Sequence, residues 1–82
     1  MLEVFGRALA LDPGDARTLN NRGAALAALG QTDAARSDFE RALIREPCLF
    51  DARLNLSRMG VGPPDPEGCR YTSRQAQMLR AR

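Results

Sequence analysis

An all-α fold is predicted, on three observations. Apolar residues recur at three- and four-residue intervals along most of the chain instead of alternating, which is helical spacing. Gly and Pro cut that pattern into pieces of helix length. The third observation is a repeat: FGRALALDP at residues 5–13 returns as FERALIREP at 39–47, with Phe, Arg-Ala-Leu and Pro each displaced by 34 residues.

The elements follow in chain order. Residues 1–11 carry Leu2, Phe5 and Leu9 on one helical face with Ala8 between them, and the helix stops where Pro13 and Gly14 cannot continue it. Asp15 is placed to cap a second helix over 16–29, closed by Gly30. Thr32 and Asp33 open a third, which runs to Glu46 and is cut by Pro47. Asp51 opens a short fourth, ending at Gly60. Three prolines and two glycines make residues 61–68, VGPPDPEG, a loop. Thr72 with Gln75 three residues on is a capping box for a last helix reaching residue 82, and Tyr71 just before it is placed to pack on Ala76. No stretch reads as a strand of useful length.

Composition bounds the function. The 82 residues are 44% hydrophobic and 27% charged, an ordinary globular mixture sized for one small domain. All twelve basic residues are Arg, spread evenly and with abundant Ala, which reads as GC-rich coding of bacterial origin. The net charge of +2 gives no argument for nucleic acid. Residues 70–82 hold Arg70, Arg74, Arg80 and Arg82 and no acid, but the helix there is short and lacks an aromatic face, so a solvated face is preferred to nucleic-acid or membrane contact. The run AALAALG is far too short to span a bilayer. With no apolar leader, the chain is expected to be soluble and cytoplasmic, and Cys48 and Cys69 are expected as free thiols rather than a bridge.

Catalysis has little to stand on. There is no His and no nucleophile motif, and Asp12, Asp15, Asp33, Asp51 and Glu67 fall mostly at turns or helix starts, where capping accounts for them. GVGPPDPEG lacks the GK[ST] end of a phosphate loop, and its prolines remove amide donors. No metal ligand set and no cofactor are expected.

A period of 34 residues with two helices per unit resembles the tetratricopeptide repeat. Residues 16–49 resemble one complete repeat: Gly23 and Leu26 on its first helix, Gly30 at the inter-helix turn, Ala35, Phe39 and Ala42 on its second, and Pro47 closing the unit. Residues 1–15 resemble the second half of a preceding repeat, with Phe5, Ala8 and Pro13 in the same roles. Residues 50–60 resemble the first helix of a following one, with Asn55 and Leu56 matching. The resemblance implies a right-handed superhelical array of antiparallel helix pairs, about five helices in all. Its end is capped by residues 72–82 beyond a 61–71 loop.

Three departures stand out. Arg22 replaces a leucine and reads as a side chain snorkelling near the inner surface. Leu19 replaces an aromatic, and the fourth helix ends about a turn early.

The resemblance also implies binding of another protein or peptide in a groove lined by the first helices. Groove-facing residues are then Arg17, Asn20, Asn21, Ala24, Ala27 and Ala28 on one and Asp51, Leu54, Asn55 and Arg58 on the next. Asn21 and Asn55 are 34 residues apart and are expected to stack, where a carboxamide can bracket a peptide amide or simply bond within the scaffold. The acid-tail clamp of chaperone-binding relatives needs Lys and Arg where this chain has Asn20, Ala24, Leu54 and Asp51, so that clamp is missing. Two further readings stay open. Leu2, Phe5 and Leu9 lack a covering helix and suit self-association within a longer array, or the chain is the recognition arm of a larger enzyme.

Overall fold

The structure, a computed structural model, describes residues 2–62 and 68–80. Residues 63–67 of the proline loop, Met1, Ala81 and Arg82 lie outside the described residues. Five helices follow one another: α1 (Leu2–Leu11), α2 (Ala16–Ala28), α3 (Thr32–Arg45), α4 (Phe50–Arg58) and α5 (Ser73–Arg80). There is no strand among the described residues. Each helix packs on the next, and α2 also meets α4. The body measures 35 × 25 × 17 Å, a thin dimension that suits two helix layers at the usual interaxial distance of about 8–10 Å.

The 34-residue period is built into the helix ends. α1 and α3 stop at Leu11 and Arg45, and α2 and α4 start at Ala16 and Phe50. α2 and α4 also stop the same way. Gly30 and Gly60 adopt φ of 82° and 81°, a left-handed conformation that a side chain resists. At each, two backbone bonds close the helix end. Gln31 N–H donates to Leu26 O at 2.9 Å and Gly30 N–H to Ala27 O at 3.0 Å; Val61 donates to Leu56 at 2.9 Å and Gly60 to Ser57 at 3.0 Å. This is the Schellman arrangement. α4 has 9 residues against 13 in α2, so the early stop expected from the sequence is one helical turn.

The caps need two corrections. Asp15 stands at the N-cap of α2, but its carboxylate caps no backbone amide and instead accepts from the Thr18 hydroxyl at 2.9 Å. α4 begins at Phe50, with Asp51 inside its first turn, where a carboxylate favours the helix dipole. The capping box of α5 forms in both directions: Gln75 N–H donates to Thr72 Oγ1 and Thr72 N–H to Gln75 Oε1, each at 3.0 Å.

The core is two apolar clusters. Leu9, Ala16, Leu19, Ala42 and Ala52 form one, Leu26, Ala35, Phe39 and Leu56 the other, and the half-buried Leu43 packs on both. The sequence-predicted packing residues Gly23, Leu26, Ala35, Phe39 and Ala42 are all buried, and Leu19 fills its place without the aromatic ring. Gly23 leaves room for the Phe39 ring: a Cβ there would stand 2.6 Å from Phe39 Cε1. Gly23→Ala should therefore lose stability, since overpacking costs ~1–3 kcal/mol and the gain in helix propensity returns at most ~1 kcal/mol. A thermal midpoint equal to or above that of the parent chain would contradict this contact.

Polar contacts tie the layers together. Arg45 donates to Asp12 at 2.6 Å, pinning the end of α3 to the α1–α2 turn, and Arg41 reaches Pro13 O at 3.3 Å. The Arg45 hydrogen bond holds the Asp12 carboxyl below its ordinary range. Arg22 is not a snorkelling surface residue. Its guanidinium forks onto Asp38 of α3, Nε to Oδ2 at 2.7 Å and Nη2 to Oδ1 at 2.8 Å, and the bond keeps Arg22 firmly protonated. Asp38 is buried, with 3% of its surface exposed.

The cysteines also differ from expectation. Cys48 in the α3–α4 turn and Cys69 ahead of α5 are joined as a disulfide, with Cα atoms 5.4 Å apart. Compartment was the only consideration available from sequence, whereas the fold brings the two turns within bridging distance. Tyr71, expected against Ala76, sets its ring edge-on to Phe50 at 5.9 Å and donates its hydroxyl to Cys48 O at 2.8 Å.

Candidate functional site

α2 buries Ala16, Leu19, Asn20, Gly23 and Leu26, which turns Arg17, Asn21, Ala24 and Ala28 outward at spacings of four, three and four. These four share one helical face. Ala27, also expected in the groove, is half-buried against the Phe39 cluster. On α4 the buried set is Ala52, Arg53 and Leu56; Asp51 and Arg58 are exposed, and Leu54 and Asn55 half-buried. α2 and α4 are also in contact with each other.

Asn20 and Asn55 join the two helices. Asn55 Nδ2 donates to Asn20 Oδ1 at 3.0 Å, with Asn20 only 8% exposed. The stack expected between Asn21 and Asn55 is thus replaced by a bond one position earlier. A buried carboxamide must find a partner, and Asn20 finds it on the neighbouring first helix. Asn21, left exposed, presents its donors and acceptor to solvent.

The N-terminal ends of both helices open into a cleft of about 590 Å³, lined by Arg17, Phe50, Asp51, Arg70, Tyr71 and the Cys48 turn among others. Of the residues expected to face the groove, Arg17 and Asp51 line it. Its charged rim of Arg17, Arg70, Glu46 and Asp51 sums to zero. The cleft was not legible in the sequence, because it lies where the α3–α4 turn meets the approach to α5, two segments joined by the disulfide and the Tyr71 hydrogen bond.

The uncovered stripe of α1 is also placed differently. Leu9 is 8% exposed and belongs to the chain's own core, and Leu2 packs on the Phe39 cluster. Phe5 is half-buried. The large apolar side chains that α1 exposes are Val4 and Leu11, at 68% and 90%. No helix of the described residues is long and apolar enough to cross a membrane.

Residues 4–37 match the sequence model of a family described as tetratricopeptide repeat, and the chain carries a tetratricopeptide repeat there. The match runs from α1 into α3 and so differs in phase, not in period, from the unit framed over 16–49. No curated protein and no solved structure is matched at a significant level.

Proposed function

We propose that this chain, carrying a tetratricopeptide repeat, acts as a protein–protein interaction module. It would bind an extended peptide or a partner helix on the outward face of α2 and α4. Repeats of this family generally mediate protein–protein interaction and are generally non-catalytic. The observation that carries the reading is the exposed row Arg17, Asn21, Ala24 and Ala28 beside Leu54, Asn55 and Arg58. The alanines leave room for ligand side chains, and Asn21 offers both donor and acceptor to a backbone amide. Arg17 and Arg58 supply charge. Asn20 would act from below, fixing Asn55 rather than touching the ligand. Further units stacked in the same register would extend the face into the right-handed superhelix that the resemblance implies.

Ala24 is the place to test this, because it is exposed and is a member of neither core cluster. Peptides selected from a random phage-displayed library on the parent chain should bind Ala24→Trp at least about tenfold more weakly, a loss of ~1.4 kcal/mol, with helical circular dichroism unchanged. Peptides that bind both proteins equally, or a library that yields none, would remove the assignment.

A further inference from the structure

α5 is held by few contacts of its own. Among the described helices it packs only on α4, and it has no buried residue. At 8 residues it is well below the ~12–15 at which a helix becomes even marginally stable alone in water. What seats it lies at its N-terminal approach: the Cys48–Cys69 bridge, the Tyr71 hydroxyl on Cys48 O and the Phe50–Tyr71 ring pair. All three meet the α3–α4 turn within a few residues. The core clusters, by contrast, draw on α1 to α4 with Leu49, Met59 and Val61 and include nothing from α5. Cys48 is exposed and Cys69 half-buried, so the bridge is open to an attacking thiolate, and exposed bridges are the labile, regulatory kind.

We infer that the Cys48–Cys69 disulfide is a redox latch: closed, it seats α5 on α4 and completes the cleft; opened, it releases α5 while α1–α4 stay folded. Opening is thiol–disulfide exchange with a dithiol donor. A donor thiolate attacks one sulfur of the bridge, and the other sulfur leaves as a thiolate and takes up a proton. The donor's second thiolate then displaces the first protein sulfur, which is protonated in turn. The chain gains two electrons and two protons as two thiols, and the donor ends as a disulfide. Release withdraws Arg70, Tyr71 and Gln75 from the cleft and uncovers Phe50. An oxidising compartment keeps the latch closed and a reducing one opens it. The inference does not depend on the peptide-binding face of α2 and α4.

Limited trypsin digestion of the full chain, read by mass spectrometry, tests it without any ligand. The oxidised chain is compared with the chain in dithiothreitol and with the Cys48→Ser/Cys69→Ser variant. Cleavage after Arg70 and Arg74 should quicken about tenfold or more in both forms that lack the bridge, as local unfolding controls access. Cleavage after Arg22 and Arg53 should stay slow. Equal rates at Arg70 and Arg74 in all three samples would show that α5 stays seated without the bridge. Simultaneous acceleration at Arg22 and Arg53 would show that the bridge holds the whole fold. Either result overturns the latch.

Discussion

Phe39→Ala is expected to remove most of the chain's stability. The ring is 1% exposed, sits against Gly23 on the facing helix and anchors the cluster with Leu26, Ala35 and Leu56. Truncating a buried Phe typically costs ~3–5 kcal/mol, because the cavity adds to the lost transfer free energy. A small domain has on the order of 5 kcal/mol in all, and each kcal/mol shifts the midpoint of such a domain by ~4–8 °C. The thermal unfolding midpoint followed by circular dichroism should drop by roughly 12–40 °C at those magnitudes. Phe39→Leu keeps much of the volume and should lose less than half as much. If both variants melt within a few degrees of the parent chain, the Gly23–Phe39 contact is not the keystone of the α2–α3 pair.

Arg22→Ala is the second large effect, and its cause is electrostatic. Arg22 is about a quarter exposed, Asp38 only 5% by side chain, so removing the guanidinium strands a buried carboxylate. Breaking a buried pair from one side costs ~3–5 kcal/mol; partial exposure of Arg22 places this site near the lower figure, about 3 kcal/mol. Replacing both partners by apolar residues of similar volume should restore stability, since such exchanges are often neutral. Denaturant unfolding of Arg22→Ala, Asp38→Leu and Arg22→Met/Asp38→Leu gives the comparison. A double variant as unstable as Arg22→Ala would mean that the loss came from packing and not from the unpaired charge.

How far the sequence reaches is visible in these same residues. Gly23, Ala35, Phe39 and Ala42 were legible because a 34-residue period and small residues at close helix approaches leave a pattern in one dimension. The glycine-closed ends of α2 and α4 were legible for a similar reason: left-handed φ selects Gly locally. Arg22 was misread because its partner Asp38 lies 16 positions away on another helix, and nothing in the spacing announces a fork between them. Asn20 and Asn21 are adjacent, and only the rotation of α2 against α4 decides which one meets Asn55. The disulfide and the cleft escaped for the same physical reason: both are properties of how turns meet, whereas helical periodicity reports on faces.

The binding face is tested most directly by backbone amide chemical shifts of the labelled chain during titration with a peptide selected on it. The account predicts perturbations clustered at Arg17, Asn21, Ala24, Leu54 and Arg58, with α1 little affected. Perturbations confined to Val4 and Leu11 on α1, with the α2–α4 face silent, would contradict it.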